Sequence, residues 1–116
     1  MKVKTRTYDN LNIAVLELHG KFIGGSETDE LKQRANDLFE QGCHKLIIDM
    51  DDVHYMNSTG IGALIHIYTH FKNENGKIRL CRVRDSAQNI FVITQLVKVF
   101  DIDDTIEDSL INIQKN

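Results

Sequence analysis

The chain contains no proline at all, and it has no repeat or low-complexity stretch that could serve as a linker. Residues 1–116 therefore read as one domain, long enough to bury a real core. Cysteine is nearly absent too. Cys43 and Cys81 are far apart and outside any C-x-x-C pattern, which removes the basis for a disulfide framework. Two free thiols are expected, Cys81 inside a strand and Cys43 at a helix-to-strand turn. No apolar run approaches the ~18–20 residues needed to span a bilayer. Met1-Lys2-Val3-Lys4-Thr5-Arg6 leads into polar residues without the apolar centre of a signal peptide. The expectation is a cytoplasmic protein with no membrane insertion. Basic residues form no stripe, and the net charge is −3. Arg79, Arg82 and Arg84 come nearest, but strand alternation puts Arg82 and Arg84 on one face and Arg79 on the other. A direct nucleic-acid partner is not expected.

What is present is a regular succession of strand and helix signals. Val3 to Tyr8 is rich in strand formers, and Asp9-Asn10 supplies turn chemistry after it. Asn12 to His19 reads as the second strand of a hairpin ended by Gly20, with Ile13 and Val15 on one face and Ala14, Leu16 and Leu18 on the other. Ser26, with Asp29 three residues on, predicts a helix start; Leu31, Ala35, Leu38 and Phe39 give its apolar spacing and Gly42 its stop. Lys45 to Met50 contains a continuous apolar run suited to a strand buried on both faces. After a short loop, a helix is predicted from about Ser58 to Asn73, with Ile61, Leu64, Ile65, Tyr68 and Phe71 as its buried stripe and Asn75-Gly76 closing it. Lys77 to Val83 reads as a strand and Ser86 to about Val97 as a helix. A short strand at Val99 to Ile102 and a last helix from Thr105 to Ile113, with Asp108 at its N3 position, complete the chain. The predicted fold is α/β: a mixed sheet of four to five strands covered by about four helices in a single domain.

The chemistry centres on Asp49-Met50-Asp51-Asp52-Val53-His54-Tyr55-Met56-Asn57-Ser58-Thr59-Gly60-Ile61-Gly62. It places Ser58 at a helix start, where unpaired backbone N–H groups and the helix dipole give partial positive charge. Three roles are open to it. Ser58 or Thr59 can cap the helix, the commonest use of such residues. As a phosphoryl acceptor, Ser58 would gain about −1.5 to −2 charge at a place where the fold tolerates it, with Gly60 and Gly62 keeping the neighbouring surface low. As a nucleophile it would need a base, yet the glycine two residues before the serine of a G-x-S-x-G elbow is missing. His66 and His70 lie too far along the helix, which leaves His19, His44 or His54, with Asp51 or Asp52 as orienter.

Other sites have less behind them. His66 and His70 stand at i and i+4 but without the glutamate of H-E-x-x-H or a third ligand, so no metal is expected. Gly24-Gly25-Ser26 matches neither phosphate-loop pattern. Asp51-Asp52 lacks the companion acids and lysine of a phospho-acceptor aspartate site. No catalytic residue and no cofactor is predicted.

The opening strands ending in Gly20, the Glu30-Leu31 helix and the run from Ile47 through Met56 to Leu64 resemble the STAS domain of bacterial anti-sigma factor antagonists. So does Leu96-x-Lys98-Val99-Phe100-x-Ile102-x-Asp104. The likeness covers nearly the whole chain. It implies a regulator whose unmodified form binds an anti-sigma factor that is also a serine kinase, freeing a sigma factor. Phosphorylation at the position of Ser58 would end the complex, and a PP2C-type phosphatase would reset it. ATP and Mg would belong to the kinase. Asn57, Ser58, Thr59, Gly60, Gly62 and His66 would form part of the partner surface. Asn57 stands where the family usually has Asp, and Lys21 where an acidic residue commonly follows the glycine. The rival expectation is a STAS scaffold in another signalling or lipid-transport assembly, with Ser58 only a helix cap.

Overall fold

Alternation along the second strand divides the molecule. Ala14, Leu16 and Leu18 enter a large core with Leu46, Ile48 and Met50, while Ile13 and Val15 join Ile47, Cys81 and Ile113 in a smaller one behind the sheet. A sheet covered on both faces requires a near-continuous apolar strand in its middle, as Leu46 to Met50 is. The computed structural model describes residues 2–84 and 95–115. Its strands are β1 (Val3–Tyr8), β2 (Ile13–Phe22), β3 (Lys45–Met56), β4 (Lys77–Cys81) and β5 (Ile102–Asp103), and its α-helices α1 (Ser26–Glu40), α2 (Ser58–Asn73) and α3 (Ile106–Ile113). They form one mixed sheet in the order β1-β2-β3-β4-β5, with β1 antiparallel to β2 and every other pair parallel. Residues of α1 and α2 fill the large core, and Ile113, Ile106 and Leu110 of α3 close the small one.

The expectation of about four helices is revised to three α-helices among the described residues. The helix predicted from Ser86 to about Val97 falls mostly on residues 85–94, outside those described, and Leu96–Lys98 is a single 3-10 turn. Two strands are longer than predicted. β2 continues past Gly20 to Phe22, and β3 occupies the stretch expected as a loop, up to Met56. Register shifts between Glu17 and His19 and between Gly20 and Lys21 allow it, so that Lys21 pairs with Tyr55 and Phe22 with Met56. The last strand is shorter than predicted and starts at Ile102, because Val99 and Phe100 donate to the Leu96 carbonyl in the turn before it.

Helix ends follow local chemistry. Gly42, at φ 91°, donates to the carbonyl of Phe39 at 3.0 Å, and Cys43 to that of Leu38 at 2.9 Å, so the last carbonyls of α1 are satisfied. Thr105 Oγ1 accepts from the Asp108 N–H at 3.0 Å and caps α3 as predicted. Both cysteines are free; burial pushes the Cys81 thiol up to about 12 and also raises Cys43, so neither is poised as a thiolate.

The C-terminal edge is held by one carboxylate. Asp103 accepts from Arg79 Nε at 2.6 Å and Nη2 at 3.1 Å, Ser109 Oγ at 2.6 Å and Asn112 Nδ2 at 2.8 Å, joining β4, β5 and α3. Burial alone would raise its pKa, but the bonds from Arg79, Ser109 and Asn112 outweigh it and hold the carboxyl below the usual range. A depressed folded-state pKa contributes stability above the ordinary carboxylate value, and that contribution disappears as the pH falls below it. Asp103→Asn should therefore cost on the order of 3 kcal/mol at neutral pH, where it leaves Arg79 without its carboxylate. The gap from wild type should narrow below about pH 4, as measured by urea denaturation across pH.

Candidate functional site

The extended pairing of β2 with β3 brings two connections together, and one side chain fastens them. Asn57, in extended backbone just after β3, accepts from the Thr59 N–H at 3.0 Å and the Gly60 N–H at 3.1 Å through Oδ1. Its Nδ2 donates to the Ile23 carbonyl at 3.0 Å, and its own N–H to the Phe22 carbonyl at 3.3 Å. Asn57 is thus the cap of α2, a role that the sequence left open to Ser58 or Thr59, and also the clamp on the β2–α1 connection. An amide serves both ends because it offers an acceptor to the helix and a donor to a carbonyl.

Ser58 is the first residue of α2 and is exposed; among the described residues its hydroxyl has no hydrogen-bond partner within the protein. The first turn of α2 contains no acidic residue, so the positive end of the helix is not offset locally. Thr59 is exposed, with its methyl group 3.3 Å from where a Cβ on Gly24 would stand. Gly62 and His66 are exposed. Gly60 is not on that surface. It is buried, and a Cβ there would lie 2.1 Å from the Phe22 carbonyl oxygen. Gly60 lets α2 sit against the end of β2; Gly62 meets nothing within 4 Å.

Ile61, Leu64 and Phe71 are buried as predicted, whereas Ile65 is 38% exposed and Tyr68 only half-buried, edge-on to Phe100. Ala63 and Ile67 are buried as well, because α2 packs on α1 as well as on the sheet. Ser26, expected to cap α1, is its first helical residue. Gly25 stands at the cap position, and Gly24 N–H donates to Thr28 Oγ1 at 2.9 Å.

The triad partners weighed from the sequence go elsewhere. His19 Nδ1 lies 2.8 Å and His54 Nε2 3.2 Å from the two oxygens of Asp52. The hydrogen bond from His19, helped by the charge of His54, holds the Asp52 carboxyl below its usual range. Asp51 pairs with Arg84. His44 stacks on Phe39 with centroids 4.2 Å apart, and His70 meets the same ring edge-on at 4.6 Å. Among the described residues no histidine bonds to Ser58, and no group of histidine, cysteine and acidic side chains could hold a metal. The arginines are engaged too: Arg82 grips the buried Asp49 through bonds of 3.0 and 2.5 Å, and Arg79 is bound to Asp103. The sequence reading missed two exposed apolar neighbours of the site, Ile23 and Tyr55, each 48% exposed. Their exposure follows from the strand extension, which the local pattern does not signal.

The family model of the STAS domain matches residues 2–109. The chain belongs to the STAS domain family. This STAS domain is 33% identical over 72 residues to the anti-sigma-B factor antagonist of Bacillus subtilis, a stretch that spans 62% of this chain and 65% of that relative. Its fold is shared with an anti-sigma factor antagonist from Mycobacterium paratuberculosis, at a TM-score of 0.82 and 19% identity, covering 97% of this chain and 93% of that one. It is also shared with the Bacillus anti-sigma factor antagonist SpoIIAA. Unphosphorylated SpoIIAA gives a TM-score of 0.74 at 14% identity, over 95% of this chain and 94% of that one. The phosphorylated form gives 0.74 at 15%, over 95% and 96%. These names describe regulators, not enzymes. Among the described residues no helix is long and apolar enough to cross a membrane.

The two glycines should separate experimentally. Gly60→Ala must move backbone and should cost roughly 3 kcal/mol. Gly62→Ala should stabilise α2 by about 0.5–1 kcal/mol. Thermal and chemical denaturation of the two variants measure both signs.

Proposed function

We propose that this STAS domain, with residues 1–116 acting as one unit, is an anti-sigma factor antagonist switched by phosphorylation of Ser58. The unmodified form binds an anti-sigma factor that is also a serine kinase and so frees a sigma factor in the cytoplasm. The observation that supports this best is the division of labour at the β3–α2 junction. Asn57 performs the capping, and the exposed Ser58 hydroxyl is left without a structural task. A phosphate there stands at the positive end of α2, whose first turn holds no acidic residue, so the fold accepts it even with the Thr59 and Gly60 N–H groups taken by Asn57. It still adds about −1.5 to −2 charge to the surface a partner must cover. Ser58, Thr59, Gly62 and His66 form that surface, with Asn57 half-buried behind them. ATP and Mg enter with the kinase, and a PP2C-type phosphatase removes the phosphate. The relatives named as antagonists, and a structural neighbour known in phosphorylated and unphosphorylated forms, support the same reading. In the scaffold alternative Ser58 only caps α2; the capping falls to Asn57, which favours the switch reading, and the kinase experiment separates the two.

Incubation with the cognate anti-sigma kinase and ATP, followed by mass spectrometry, should find phosphate on Ser58. Ser58→Ala should change stability by less than about 0.5 kcal/mol and keep the complex intact in the presence of ATP. Ser58→Asp should weaken it. Phosphate on another residue, or binding indifferent to Ser58→Asp, would overturn the proposal.

A further inference from the structure

Beside the β3–α2 junction an open groove of about 390 Å³ is lined by Lys2, Gly20, Lys21, Ile23, Glu27 and His54. Its charge runs against that of the chain. Two lysines line it with one carboxylate, Glu27, and its imidazole, His54, is paired with Asp52 behind it, whereas the whole sequence carries a net charge of −3. Arg6, Arg79, Arg82 and Arg84 are all paired with carboxylates. Among the described residues no lysine has such a partner, and Lys2 and Lys21 are the two that line this groove. Gly20 contributes the wall: a Cβ on it would meet Lys2 Nζ at 3.3 Å and Cδ at 3.5 Å, so the missing side chain gives the lysine its place. Half-exposed Ile23 lines the same groove, and Tyr55 stands opposite Lys21 in the strand register.

Unpaired ammonium groups beside exposed aliphatic and aromatic carbon suit a ligand that brings carboxylates and apolar side chains together. We propose that this groove seats an acidic segment of the partner protein, one in which carboxylates alternate with aliphatic residues. Docking on this face rests on the partner-switching reading above; the groove's preference for acid can be measured without it. The Asn57 bond to the Ile23 carbonyl ties the groove wall to the turn that presents Ser58. A phosphate on Ser58 therefore places negative charge on the face an acidic segment must approach, and like charges repel.

The test uses three probes on the full isotope-labelled chain, followed by amide chemical shifts: a six-residue peptide alternating glutamate and leucine, its lysine-leucine counterpart, and a short single-stranded DNA. The glutamate peptide should shift Gly20, Lys21, Ile23, His54 and Tyr55 saturably, and the other two should not. A Lys2→Glu, Lys21→Glu double variant should bind it roughly tenfold more weakly, a loss that added salt reproduces. No saturable shift, shifts spread equally over Lys32, Lys72 and Lys77, equal binding of the DNA, or an unchanged double variant would each overturn the proposal. Since none of the probes is a kinase, such a failure leaves phosphorylation of Ser58 standing. A chain that binds the glutamate peptide but takes no phosphate would retain the groove and lose the switch.

Discussion

The parallel pairing of β2 with β3 is the constraint on which the rest of this molecule depends. It runs from Ile13 opposite Lys45 to Phe22 opposite Met56, through two register shifts. Its first half makes the two-faced centre of the sheet, and its second half, with Phe22, Val53 and Met56 still buried in the large core, forms the end of the sheet on which the site stands. Without those last pairs, Phe22 and Asn57 would not be neighbours. α2 would then have no backbone to rest against, and Ser58 no defined position.

At that edge a single amide decides how the parts divide their tasks. Asn57 caps one helix and fixes the connection into another, from residues 34 positions apart. A carboxylate in its place would keep the acceptor for the Thr59 and Gly60 N–H groups. It would also face the Ile23 carbonyl with a second acceptor, and two acceptors with no proton between them repel. The Asn at this position thus has a local physical reason in the geometry of the β2–α1 connection. Gly60 has one also, since only a residue without Cβ allows the carbonyl of Phe22 so near.

Much of this was legible in the sequence wherever the governing chemistry is local. The bounds of α2, the cap at Thr105 and the stop at Gly42 come from residues within one turn of each other, and all stand where the pattern puts them. The two faces of β2 were readable from alternation alone. Other features depend on distant partners. The length of β3 is set by pairing with β2, so the polar run Asp51 to Tyr55 gives no sign that it is strand. Gly60 and Gly62 look interchangeable in the sequence, and only the position of Phe22 tells them apart. The engagement of Arg79, Arg82 and Arg84 by three aspartates depends on which strands are adjacent, which periodicity does not encode.

The Gly60 contact has a consequence for timing. Because α2 is pinned to the end of β2 by a close backbone approach, its first turn would have little room to shift under the proposed phosphorylation of Ser58. On that proposal, a cycle of addition and removal of phosphate would require no hinge-like movement of this first turn, such as the microsecond-to-second motions of hinged switches. How quickly the signal turns over would be set by the enzymes that write and erase it, and the chain itself would contribute no delay and no memory of its previous state.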